Sequence, residues 1–135
     1  MAITIVRDQS ALMRHTVHVG PHTFAADANV PDGGEGLGPN PHDLYDAALG
    51  ACEALTVLWY ARRNGIPVED IAVAVERDQS EERTGIYRLD TKLKLGGNLT
   101  DAQRQELLSV ASKCPVHRLM TSVQTLIETS LVAQI

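Results

Sequence analysis

Aromatic side chains are almost missing from this sequence: one Trp, three Tyr and one Phe among 135 residues. Leu, Val, Ile and Ala must therefore fill any core. At 44% apolar overall, the chain has enough material for a packed interior and too much for an intrinsically disordered protein. Cysteine is nearly absent as well. Cys52 and Cys114 are too few for a disulfide scaffold and lack the four clustered ligands of a structural zinc site. There is no basic stripe, and the formal net charge is −5, which argues against nucleic acid as a partner. No run approaches the ~20 apolar residues of a membrane span. The closest, residues 47–61, contains Glu53 and Thr56. The N-terminal MAITIVRDQS lacks the basic start, apolar stretch and cleavage site of a signal peptide. The expectation is one cytoplasmic domain, residues 1–135, without a membrane partner. In that compartment disulfides are usually transient or catalytic.

What is present falls into clear segments. Residues 2–6 and 13–19 alternate as strands, and 22–26 forms a hairpin partner across Gly20-Pro21. Residues 27–40 are rich in Gly, Pro, Asp and Asn, a loop long enough to carry function. Asn40 is a natural N-cap and Pro41 a natural first residue for a helix that runs to Asn64-Gly65. Leu44, Ala48, Cys52, Leu55 and Trp59 are spaced to share one face of that helix, and Trp59 reads as core. Apolar residues cover most of its remaining circumference, which predicts burial on most sides. A chain of this size cannot easily arrange that alone, so a second subunit is expected to help cover the helix. Residues 68–77 and 85–95 read as a hairpin. Thr100 and Gln103 form a capping-box pattern opening a second helix, and Lys113-Cys114-Pro115 ends it. A short helix then starts at Pro115, and residues 125–132 read as a last strand. The order β-β-β, long helix, β-β, two helices, β makes the fold class α+β, a mostly antiparallel sheet packed on a long buried central helix.

The candidate chemistry lies in the two thiols. A lone Cys in an apolar helix, such as Cys52, reads first as a small core hydrophobe. Cys114 precedes Pro115 at a helix N-cap, where the dipole and nearby His117 and Arg118 would lower a thiol pKa; reactive thiol and structural cap are equally open readings. If the fold joins the sulfurs, one can attack a peroxide O–O bond and the other can condense with the resulting sulfenic acid. Glu53, beside Cys52, would raise its pKa; its two readings are a hydrogen bond or capture of a basic residue across the interface, and, as the commoner case, a side chain facing solvent or a partner chain. His15, His18 and His22 occupy different strand positions without a completing carboxylate, so no metal is expected.

The stretch GPNPHDLYDAALGAC, residues 38–52, followed far downstream by CPVHRLM from Cys114, resembles the OsmC/Ohr family of osmotically inducible and organic hydroperoxide resistance proteins. The resemblance covers nearly the whole chain and is closest to the OsmC-like branch. It implies an intertwined homodimer with sites at the subunit interface. It further implies Cys52 as the peroxide-attacking thiol and Cys114 as the resolving one. The substrate would be an organic hydroperoxide, the reductant a dithiol such as a lipoyl or thioredoxin-like protein, and no cofactor would be needed. In the family's peroxidases a Glu after the Asn-Pro pair orients an Arg that polarises the attacking thiol. Here His42 stands in that place, and Arg14, ahead of Arg7, is the expected Arg. A second reading is a catalytically weak OsmC-like dimer that binds an apolar small molecule or acts as a redox-responsive stress protein.

Overall fold

Period-two alternation near the N-terminus produces an antiparallel meander. In the structure, a computed structural model that describes residues 2–135, β1 (Ile3–Arg7), β2 (His15–Val19) and β3 (His22–Ala26) form a sheet in that order. The registers run from Ile3 opposite Val19 to Arg7 opposite His15, and from His15 opposite Ala26 to Val19 opposite His22. Residue contacts divide the chain into two compact units. The first holds the residues up to Tyr45 together with Ile127–Ile135, and the second holds Asp46–Leu126.

The loop after β3 is ordered by one carboxylate. Buried Asp27 accepts N–H bonds from Ala28 at 2.8 Å, Glu35 at 3.3 Å and Leu37 at 3.1 Å. Gly34 is required there, because a Cβ at that position would lie 2.0 Å from the Ala28 carbonyl oxygen. The loop delivers the chain to α1 (Pro41–Arg63) through a reciprocal cap. Asn40 Oδ1 accepts the Asp43 N–H at 2.8 Å, and Asp43 Oδ2 accepts the Asn40 N–H at 3.1 Å.

In the second unit, β4 (Asp70–Asp78) pairs antiparallel with β5 (Arg88–Gly96), from Asp70 opposite Gly96 to Asp78 opposite Arg88. The hairpin link includes a short 3₁₀ turn at Glu82–Thr84, so β5 starts a little later than its sequence pattern predicts. The predicted capping box opens α2 (Asp101–Ala111): Gln103 N–H reaches Thr100 Oγ1 at 3.1 Å and Gln103 Oε1 returns to the Thr100 N–H at 3.0 Å. Cys114 is the N-cap of α3 (Pro115–Thr121). Val57, Ala61, Ile66, Leu107 and Ala111 form the core of this unit, with Leu93, Leu95 and Val110 packed around them.

Three sequence expectations change. Burial of α1 on most sides is not reached within the protomer, where the buried residues are Asp46, Leu49, Gly50, Glu53, Val57 and Ala61. Two carboxylates lie on the packed face because β4 and β5 offer them donors, a fact the apolar count along the helix does not register. Trp59 is 59% exposed, with Arg63 stacked 4.9 Å from its ring centroid, so it is not core. The helix is thus buried along one side of the protomer, and Leu55 and Trp59 stand open on the other. Finally, residues 125–132 form no strand. Their apolar side chains, Leu126 and Ile127 among them, are exposed. Alternation records a local preference, but a strand also needs a ladder partner for its N–H and C=O groups, and none pairs with it among the described residues.

Gly50 sets the distance between α1 and β4. A Cβ there would meet Val75 Cγ2 at 2.8 Å, and a β-branched valine has little rotameric freedom to retreat. Gly50→Val is therefore expected to destabilise the protein by about 2 kcal/mol, despite relieving the helix of a glycine, as read from urea unfolding midpoints.

Candidate active site

The site is built from α1 and the start of α3, backed by β4 and β5. Cys52 lies on α1 beside the packed face and is half-buried. Its sulfur accepts the Val116 N–H at 3.4 Å and lies 3.9 Å from Thr56 Oγ1. Cys114 is 0% exposed, and its sulfur accepts the His117 N–H at 3.3 Å. Pro115 has no N–H to offer, so the next two amides of α3 serve the two thiols, one each. Both sulfurs are thus held at the first turn of α3, and Cys52 helps to push the Cys114 thiol up.

Electrostatics separates the two thiols. Burial pushes the Cys114 thiol up, and hydrogen bonding and charge from Cys52 and the charge of Glu53 add to that rise. The His117 N–H opposes them without prevailing. This corrects the expectation that the N-cap lowers the Cys114 pKa: complete desolvation outweighs one helix-end donor. Cys114 is held as a thiol, and Cys52 is the more accessible of the two sulfurs.

Glu53 is the second correction. It is 4% exposed rather than facing solvent, and its Oε1 accepts the Thr91 hydroxyl at 3.1 Å. Burial raises its carboxyl above the ordinary value of 4.5, while the Thr91 bond and the charge of His117 lower it. A carboxyl raised in the folded state favours folding most below its unfolded value, and that contribution disappears as pH rises through the folded value. Glu53→Gln carries no such loss. The unfolding midpoint of Glu53→Gln minus that of wild type should therefore move in the variant's favour between pH 4 and pH 8, and a flat difference would exclude a raised carboxyl.

Asp46 was not anticipated. Buried two turns before Glu53 on the same face, it accepts Arg77 Nε at 2.5 Å on Oδ2 and the Tyr87 hydroxyl at 2.7 Å on Oδ1. Burial and the Asp46 carboxylate push the Tyr87 phenol up to about 12. The signal was available: 46, 50, 53, 57 and 61 follow helical spacing, with acids at two positions.

The remaining expected residues belong to the first unit. Arg14, immediately before β2, holds Asp8 Oδ2 through Nε at 3.0 Å and Nη2 at 2.7 Å. Bonds from Ser10 and this guanidinium hold the Asp8 carboxyl at about 2. His42 is exposed in the first turn of α1. The structure thus brings Cys52 and Cys114 together and places Arg14 in an ion pair with Asp8. Among the described residues, no group of three or more His, Cys, Asp or Glu could hold a metal ion, and no helix is long and apolar enough to cross a membrane.

Residues 33–129, well over half the chain and including both cysteines, match the family described as OsmC-like protein. The chain belongs to this family. Solved structures agree with its OsmC-like fold. An OsmC-like protein from Mycoplasma pneumoniae superposes with a TM-score of 0.73 at 20% identity, covering 90% of this chain and 87% of that one. An organic hydroperoxide resistance protein OsmC from Legionella pneumophila gives 0.64 at 19% identity over 90% of each chain. The organic hydroperoxide resistance protein OhrB of Bacillus subtilis gives 0.58 at 20% identity, covering 90% of this chain and 92% of that one. No curated protein matches the OsmC-like chain.

Proposed function

We propose that this protein is a thiol-dependent peroxidase that reduces organic hydroperoxides. The observation that carries the reading is the shared first turn of α3, which donates one N–H to each sulfur and holds a half-buried thiol beside a fully buried one. The Cys52 thiolate attacks the terminal peroxide oxygen. The O–O bond breaks, an alcohol leaves after taking up a proton, and Cys52 becomes a sulfenic acid. Cys114 then attacks the sulfenic sulfur, water leaves, and a Cys52–Cys114 disulfide remains. A dithiol reductant, lipoyl or thioredoxin-like, reopens it. On the strength of the family resemblance, Arg14 enters the reading as the group that polarises Cys52, and His42 stands in the place of the Glu that orients that Arg.

The working form is a homodimer, and the address is cytoplasmic. Open apolar residues support the dimer: Leu55 and Trp59 on α1, Ile3 and Ile5 on β1, and Ile127 and Leu131 in the C-terminal segment. A second copy would remove them from water, at about 25 cal/mol for each Å² covered.

The test is stoichiometric. Reduced protein mixed with one equivalent of cumene hydroperoxide should yield one equivalent of cumyl alcohol, and mass spectrometry should show an intrachain Cys52–Cys114 link. Alcohol yield without that link would exclude Cys114 as the resolving thiol. A second reading, binding of an apolar small molecule, has one observation in its favour. A cavity of about 410 Å³ lies between α1 and α2, lined by Thr56, Trp59, Tyr60, Val110 and Lys113 among others. Saturable binding of a fatty acid without peroxide turnover would favour it.

A further inference from the structure

The cavity between α1 and α2 reaches the neighbourhood of the half-buried thiol. Its volume is about 410 Å³, and its lining includes Thr56, whose Oγ1 lies 3.9 Å from the Cys52 sulfur. Trp59 and Val110 give it apolar walls, and Arg63 stacks on the Trp59 ring at 4.9 Å. Tyr60 and Glu106 line it as well, and they are bonded to each other. The Tyr60 hydroxyl donates to Glu106 Oε2, which ties α1 to α2 across the cavity wall. The same bond pushes the Tyr60 phenol up, so the hydroxyl remains a donor through the neutral range. Cys52, Thr56 and Tyr60 are spaced four residues apart, so they stand in one row along α1. That row leads from the sulfur, past the cavity, to the hydrogen-bonded pair.

We propose that this cavity receives the apolar tail of the hydroperoxide, and that the Tyr60–Glu106 bond is its end wall, setting the longest tail that Cys52 can serve. The inference rests on the peroxidase reading above and narrows its substrate class to hydroperoxides with an apolar group of medium length. Helix geometry gives the length. Tyr60 follows Cys52 by two turns, about 12 Å along the axis at 1.5 Å per residue. An extended chain advances about 1.2 Å per bond. About ten bonds therefore fit between sulfur and wall, and the two peroxide oxygens leave room for about eight carbons. Within that length, each methylene that leaves water for the cavity raises kcat/KM by up to about fourfold. A longer tail meets a hydroxyl and a carboxylate that satisfy each other. An alkyl chain that parts them replaces neither bond, so entry beyond the pair is opposed.

The experiment compares tail lengths in the full-length protein. Values of kcat/KM are measured with n-butyl, n-octyl and n-dodecyl hydroperoxide, each below its solubility limit, with excess dithiothreitol. In the wild type kcat/KM should rise by about tenfold or more from butyl to octyl and fall again at dodecyl. Glu106→Ala removes the acceptor at an exposed position of α2. It should raise the dodecyl-to-octyl ratio by about tenfold. Tyr60→Phe keeps the ring and releases only the bond, and its ratio should move in the same direction. Reading a ratio within each variant separates specificity from a general loss of activity, which would lower all three substrates together. Should Glu106→Ala fail to fold, the Tyr60→Phe ratio decides. A wild-type rate indifferent to tail length would overturn the proposal. So would a fall at dodecyl that neither variant relieves, since the limit would then lie elsewhere than at this pair. Failure of the wild type to reduce any of the three is a different result, and it sinks the peroxidase reading itself.

Discussion

Cys52→Ser should lower hydroperoxide turnover by about three orders of magnitude or more, measured with tert-butyl hydroperoxide and an excess of dithiothreitol. The reason is chemical rather than structural. Serine keeps the size and hydrogen-bonding capacity of the side chain, so the Val116 N–H still finds an acceptor. An un-ionised hydroxyl is nonetheless a poor nucleophile toward a peroxide, and it cannot form a sulfenic acid. Cys114 cannot substitute, since it is fully buried and burial holds it protonated. Cys114→Ser gives a distinct pattern: the first equivalent of peroxide is consumed, sulfenic acid persists on Cys52, and no intrachain disulfide forms. Equal turnover by wild type and Cys52→Ser would remove Cys52 from catalysis.

Leu107→Ala carries the largest expected effect on stability. Leu107 is 0% exposed and packs in one cluster with Val57, Ala61, Ile66 and Ala111. Truncation removes three carbons' worth of burial and leaves a cavity. Its neighbours Val57 and Ile66 are β-branched and Ala61 and Ala111 are short, so the site has little means to collapse. The expected cost is about 3 kcal/mol. For a chain of this length that corresponds to a melting temperature lowered by about 10 °C. A calorimetric shift of one or two degrees would mean that the cluster does not hold the second unit together.

Much of this protein was legible along the chain because the signals were local. The boundaries of α1 follow from Asn40, Pro41 and Gly65, each fixing its own backbone or cap. The Thr100–Gln103 box needs four residues and nothing else. Antiparallel hairpins announce themselves by alternation and a turn. The misses share a cause. Apolar character along α1 does not reveal the acids on its packed side, because the sheet supplies Arg77, Tyr87 and Thr91 to pair with them. The strand expected over 125–132 has the right pattern but no ladder among the described residues.

The sequence by itself determined the α+β class, the helix limits, the positions of the two cysteines and the family pattern they belong to. These depend on residue type and short-range spacing. Only the tertiary structure decided that Cys52 and Cys114 meet, because nothing local constrains two residues so far apart. It also decided which thiol is sealed, since burial depends on how many neighbours the fold assembles around a sulfur. Helix-end position alone pointed to a lowered Cys114 pKa; desolvation reversed the sign. By the same physics, Glu53 is a buried carboxyl that accepts the Thr91 hydroxyl rather than a charge facing solvent.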